Sequence, residues 1–299
     1  MKKQSNKLIT VPSHTEVPTS HPDLVKLVDR EGNWTHYKHV PTGRFLPAVN
    51  HIITNGYNRG KRFHDYLLSV NKEEAKRALE TAGERGTRVH EAFRDLVNGV
   101  EVRIDSKYPS ESSSGRFEPL TNEEWDFISC GVRWLAMADL QVNAQDIGVF
   151  SLVHGYAGTV DFLGMVKNVL SMPDWKTSTR IWDEYKLQTA AYYTALLEMQ
   201  DPRYITPDRT GIVRFAPGRE SGYEEKWWDA AETREHFDVF LGSKKIYELN
   251  KPAKGDDPDI EEIPTSFKVK VPQLVVDKPK RKSRSAKNGK EKNVGKTNE

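Results

Sequence analysis

The chain has 299 residues, 36% of them hydrophobic and 29% charged, with a net charge of +2. That length accommodates one large domain or two small ones. Cys130 is the single cysteine, which excludes an internal disulfide or a cysteine-held cluster and fits a reducing compartment. No run approaches the ~20 apolar residues of a membrane span, and no apolar region follows Met1–Lys7 as a secretory signal requires, so no membrane partner is expected.

Residues 1–20 combine Ser, Thr, Pro and His without periodicity and read as a flexible arm. The absence of early Arg, together with Glu16 and Asp23, argues against a mitochondrial presequence. A folded domain is expected over 21–250. Trp34–Tyr37 reads as a short strand, and Pro47 as the start of a short helix. A long helix is predicted over Lys72–Val97, placing His90 on its inward stripe beside Gly83 and Gly86, which would permit close backbone approach. Ser106–Leu120 is Ser- and Pro-rich and reads as a loop. Thr121 and Glu124 form a capping box that opens a helix with Trp125, Ile128, Val132, Leu135 and Leu140 on its buried side. Ile147–Val153 reads as a strand.

Two apolar runs follow, Thr159–Val166 and Val169–Met172, joined by Lys167-Asn168, and they predict a β-hairpin. The stretch from about Arg180 to Met199 lacks Gly and Pro and predicts a helix. Gly211–Phe215 reads as a strand, and Trp228–Leu249 as a final helix with Ala231, Phe237, Phe240, Leu241 and Ile246 toward the core. Residues 251–299 change character: Lys251–Ile263 is an acidic, Pro-containing linker, and the rest is a disordered basic tail. No internal repeat is present.

The chemistry concentrates in the hairpin. Asp161 sits on its first strand, and Asp174 and Lys176 close the second, two residues apart and therefore on one face. Two carboxylates from adjacent strands can hold Mg²⁺ or Mn²⁺, and a pair of such ions about 4 Å apart clamps the attacking and leaving oxygens of a phosphodiester. Lys176 would orient or help deprotonate the attacking water and offset phosphate charge. His90 can aim its imidazole at the same cluster from its helix. Gln188 and Tyr192 lie four apart on one helical face, with Tyr185 three before Gln188. The ordinary alternative for D-x-K is a surface salt bridge, and for the others core packing.

Four segments, GTRVHEAF (86–93), GTVD (158–161), DWKTS (174–178) and YKLQTAAYY (185–193), resemble the PD-(D/E)XK nuclease superfamily. Within it they are similar to the RecB-like exonuclease branch, which includes phage, bacterial and mitochondrial genome maintenance exonucleases. LPAVNHII resembles that branch's upstream "PSVT" element, with Ala48 and Asn50 where Ser and Thr are usual. The resemblance implies an α/β, restriction-endonuclease-like core: a central mixed β-sheet flanked by α-helices. It implies His90, Asp161, Asp174 and the Trp175 backbone carbonyl as metal ligands, with Asp161, Asp174, Lys176 and Gln188 as the catalytic set. Tyr185, Gln188 and Tyr192 are implied to support the site or the substrate phosphate. The first acid of the motif is Asp161, although Pro173-Asp174 spells "PD". The four-cysteine iron–sulfur cluster of some relatives cannot form here. No P-loop is present, so any helicase is a separate chain.

Lys280, Arg281 and Lys282 lead the basic tail as candidate phosphate contacts, and Trp182, Trp227 and Trp228 are candidates for stacking on bases or for core packing. The expected function is a two-metal, Mg²⁺- or Mn²⁺-dependent DNA exonuclease of recombination, repair or replication, acting on single strands or duplex ends in a bacterial or phage-infected cytoplasm. A separate single-strand-binding, annealing or helicase protein is an expected partner. The alternatives are a structure-specific or restriction-type endonuclease on the same fold, and a non-catalytic DNA-binding partner.

Overall fold

Eleven strands and five helices are assigned in the computed structural model, which describes residues 14–29, 34–58, 72–109 and 117–250, all within the unit Thr10–Glu262. Four strands come first, β1 (Thr15–Pro18), β2 (Leu24–Val28), β3 (Trp34–His39) and β4 (Arg44–Pro47), paired in order as an antiparallel meander. β1 lies inside the span expected as a flexible arm: Thr15 to Pro18 pair with Val28 to Val25. Pro47 ends β4 rather than starting a helix, and α1 (Val49–Gly56) begins two residues later. Leu24, Tyr37 and Leu46 bury the meander's inner face against Ala157, with Phe150 and Leu152 alongside.

α2 (Lys72–Val97) has the predicted bounds. Its C-terminal half buries Val89, Ala92 and Phe93, whereas Gly83 is exposed and faces open space, so close approach is not that glycine's role. The expected loop Ser106–Leu120 begins and ends in short strands, β5 (Lys107–Pro109) and β6 (Phe117–Pro119), paired antiparallel. The capping box at α3 (Asn122–Ala138) is present. Thr121 Oγ1 accepts from the Glu124 amide at 3.2 Å, and Glu124 Oε2 accepts from the Thr121 amide at 2.8 Å. The other Glu124 oxygen accepts from Arg88 Nε at 2.7 Å, tying α3 to α2 through a buried ion pair. α3 is rotated from the predicted stripe: Phe127, Ile128, Gly131, Trp134 and Ala138 are buried, and Val132 is exposed. The small Gly131 is what lets that face reach α2, because a Cβ there would stand 2.6 Å from the Phe93 ring.

The central sheet runs β11-β10-β9-β8-β7, with β7 (Gln141–Ser151), β8 (Tyr156–Val166), β9 (Val169–Lys176), β10 (Arg209–Phe215) and β11 (Tyr223–Asp229). β9 and β10 are parallel and the other neighbours antiparallel, so the sheet is mixed as expected. Lys167 and Asn168 both take positive φ, 51° and 62°. That backbone closes a two-residue hairpin in step with strand twist. α4 (Tyr185–Met199) and α5 (Ala230–Asn250) follow β9 and β11. Trp228, expected in the last helix, instead lies on β11, paired with Thr210. On α5, Phe237 and Phe240 are buried as predicted. Ala231 and Ile246 are exposed, and Thr233, Ser243 and Tyr247 face inward instead.

Helices cover both faces of this sheet. One cluster joins α1, α4 and α5 to Ile147, Val149, Val160, Leu163 and Met172. The other joins α2 and α3 to Phe162, Val166, Trp175, Val213 and Phe215. Phe93 meets Trp175 edge-to-face at 4.6 Å, a pairing worth about 0.5–1.5 kcal/mol beyond area burial. Among the described residues no helix is long and apolar enough to cross a membrane.

Candidate active site

The strands β8 and β9 pair from the turn at Val166–Val169 out to Gly164–Ser171. Continuing that register would set Asp161 opposite Asp174. The ladder stops short of them, and the Trp175 amide donates instead to Asp161 Oδ2 at 2.9 Å. A carboxylate thus replaces a strand-to-strand bond, and the sheet opens where the two acids stand. Alternation along β9 sends Trp175 into the α2–α3 core and leaves Asp174 and Lys176 together on the other side.

Both helical layers contribute to the site. From α2, His90 Nδ1 stands 3.5 Å from Asp161 Oδ2. From α4, Gln188 Nε2 donates to Asp174 Oδ1 at 2.9 Å and to the Tyr192 hydroxyl at 3.1 Å. Lys176 Nζ lies 2.5 Å from Asp174 Oδ2 and 4.9 Å from the centre of the Tyr185 ring. Asp174 and Gln188 are only 4% and 6% exposed. The structure therefore brings His90, Asp161, Asp174, Trp175, Lys176, Tyr185, Gln188 and Tyr192 together. Lys280, Arg281 and Lys282, with the acidic linker and the tail, lie outside the described residues.

The electrostatics follow from burial of opposite charges. Burial pushes the Asp174 carboxyl up to about 6, against the pull of Lys176 and with the help of the Asp161 charge. Burial would also raise Asp161, but His90, Lys176 and the Trp175 amide outweigh it and hold this acid below its ordinary value. For Lys176, burial favours the neutral amine, yet Asp174 and Asp161 prevail and raise the ammonium above its usual range. The same contest at His90, decided by Asp161, leaves the imidazole raised. The two acids are thus set apart, Asp161 below the ordinary carboxylate range and Asp174 above it.

The donor set fits a hard divalent cation. Asp174 Oδ2 is buried against the Lys176 ammonium and, among the described residues, meets no other donor, so it retains a lone pair for a ligand. Among the described residues no group of three or more His, Cys, Asp or Glu side chains is gathered around one point. Mg²⁺ does not need such a cage, because it is commonly held by one or two carboxylates and completes its shell with water and substrate phosphate.

Sequence reasoning missed several supporting residues. A Cβ at Gly158 would stand 2.2 Å from Tyr192 Cε1, so the glycine of GTVD makes room for the tyrosine that touches Gln188. Tyr37 of the N-terminal meander reaches Thr159 Oγ1 at 3.1 Å, two residues before Asp161. Arg85 Nη2 donates to the Thr177 carbonyl at 3.4 Å, and Arg214 Nη1 to the Ser178 carbonyl at 3.2 Å. In the sequence, the DWKTS run preceding α4 signals that something follows Lys176, but nothing local pairs it with arginines 92 and 36 residues away.

Comparison with known proteins supplies the family. Among solved structures, the chain is similar to an alkaline exonuclease from Laribacter hongkongensis at 10% identity and a TM-score of 0.28, over 57% of this chain and 89% of that one. No curated protein matches. The sequence model of the PD-(D/E)XK nuclease superfamily matches residues 44–261, from β4 through every element of the splayed sheet. The chain belongs to the PD-(D/E)XK nuclease superfamily and is a nucleic-acid hydrolase.

Proposed function

We propose that the protein is a Mg²⁺- or Mn²⁺-dependent DNA exonuclease. The observation that carries this reading is the meeting of Asp161, Asp174, Lys176 and Gln188 at the open end of the β8–β9 hairpin. Preference for exonuclease over endonuclease rests on His90 and the Gln188–Tyr192 pair, which the chain shares with the RecB-like branch by resemblance.

Asp161, Asp174, the Trp175 carbonyl and His90 would hold the ion or ions. When bound, such ions supply Lewis-acid charge to the phosphoryl group and acidify water. Asp174 is oriented by Gln188, whose donated hydrogen bond fixes Oδ1 and leaves Oδ2 beside the Lys176 ammonium. Lys176 remains an ammonium between two carboxylates. From there it is placed to orient the attacking water and to offset charge at the phosphate. Water attacks phosphorus in line as the bond to the 3′-oxygen breaks; the proton the water loses passes to solvent, and the leaving 3′-oxygen takes one up from solvent.

Phage or bacterial recombination, repair or replication suits this activity, in the cytoplasm and beside a separate single-strand-binding, annealing or helicase protein. The test is digestion of end-labelled single- and double-stranded DNA with Mg²⁺, beside closed circular DNA. The expected outcome is shortening of linear DNA from its ends with circles intact. Cutting of circles would replace this reading with an endonuclease.

A further inference from the structure

Residues 177–184 form a loop whose two ends meet at the site, because Lys176 precedes it and Tyr185, which follows it, lies beneath the Lys176 ammonium. Its first half is pinned by its backbone. Arg85 and Arg214 take the carbonyls of Thr177 and Ser178, and Ser178 Oγ donates to the Arg180 carbonyl at 2.8 Å. Both arginines are themselves anchored, Arg85 on Glu123 at 2.6 Å and Arg214 on Glu224 at 2.9 Å.

The loop's outer end carries a different kind of arginine. Arg180 is exposed, and its guanidinium lies 3.8 Å from the centre of the Trp182 ring. Arg85, Arg88, Arg94 and Arg214 each meet a carboxylate. Among the described residues Arg180 meets none. An indole orients a guanidinium without neutralising it, and leaves its planar fork of donors for an oxyanion. A charge so held, on a pinned loop beside the phosphodiester site, is arranged for a second phosphate.

We propose that loop 177–184 is a nucleic-acid-binding element in which Arg180, held over the Trp182 ring, contacts a backbone phosphate next to the one cleaved. This rests on nucleic acid being the substrate. Such a contact carries no base identity and releases counterions on binding.

The experiment is a salt titration of fluorescent oligonucleotide binding in EDTA, so that no turnover intervenes, with wild type, Arg180→Ala, Arg180→Lys and Trp182→Ala. Arg180→Ala should flatten the plot of log K against log salt by ~0.7 on single strands or ~0.9 on duplex. Arg180→Lys keeps the charge and should keep the slope. Trp182→Ala should weaken binding at every salt concentration with the slope retained. A wild-type slope and affinity for Arg180→Ala overturns the proposal, as does a weakening with the slope unchanged. Because Arg180 is exposed, the variant should fold, and thermal melting verifies it. Turnover with Mg²⁺ is scored separately. DNA degradation by the wild type with an unaltered Arg180→Ala slope sinks the loop contact alone. An altered slope without degradation sinks the exonuclease reading alone.

Discussion

The two ends of the β8–β9 hairpin are held by different means. At the turn, the backbone bonds to itself: Val166 pairs with Val169, and the Lys167 amide donates to the Ala138 carbonyl at 2.7 Å. At the other end the ladder is gone, and side chains make the connections: Asp161 to the Trp175 amide, Gln188 to Asp174, Lys176 to Asp174. Backbone bonds survive most substitutions, whereas side-chain bonds vanish with the residue. The closed end is therefore built for stability. The open end keeps two carboxylates partly desolvated and close together, an arrangement that costs stability and creates a binding site.

The largest effect is expected from Lys176→Ala at the open end. It should slow DNA degradation at least ~100-fold, while thermal melting shows a folded protein. A purified variant degrading DNA at the wild-type rate would falsify the catalytic assignment. EDTA should stop the wild type equally, with activity returning on adding Mg²⁺ or Mn²⁺.

Gln188→Leu comes next. It removes the donor to Asp174 Oδ1 and leaves a buried carboxylate with less to orient it. By the usual cost of losing a group that orients a metal ligand, metal affinity should fall about 10–100-fold. The measurement is the Mg²⁺ concentration giving half-maximal rate. An unchanged midpoint would limit Gln188 to packing.

The open end was also the more legible in sequence. Asp161, Asp174, Lys176 and Gln188 belong to motifs whose spacing carries over directly, and the hairpin and capping box are local signals. Legibility failed where distant packing decides. Trp125, Val132 and Leu135 repeat with helical period, but α3 is turned so that Gly131 faces Phe93 and Trp134 goes inward, which leaves Val132 outside. Trp228 opens an apparent helix, yet it is claimed by pairing with Thr210 across β10 and β11. β1 is a four-residue strand, too short to show alternation, and exists because β2 offers it an edge. The arginines that pin Thr177 and Ser178 come from α2 and β10, and only the fold brings them together.

Gly158→Ala tests whether the open end tolerates added volume. Its Cβ would meet the Tyr192 ring at 2.2 Å, and a buried ring has little room to yield. Overpacking of this kind costs about 1–3 kcal/mol, so urea midpoint and turnover should fall together, because Tyr192 touches Gln188. A variant with both properties of the wild type would show that the ring moves freely.

The smallest effect belongs to the closed end. Asn168 sits at φ 62°, where a side chain with a Cβ is strained and Asn is among the better-tolerated residues. Asn168→Val should cost about 1–2 kcal/mol through that backbone, read as a lower urea midpoint. Asn168→Gly should lie within a few tenths of a kcal/mol of wild type, because glycine takes positive φ freely but adds entropy to the unfolded chain. Neither should change turnover per folded molecule, since Asp161 lies five residues back along β8 from Val166 and makes its bond to Trp175 with its own side chain. If Asn168→Val lowered turnover as well as the midpoint, the register set at the turn would be what holds the acids in place, and the two ends would act as one device.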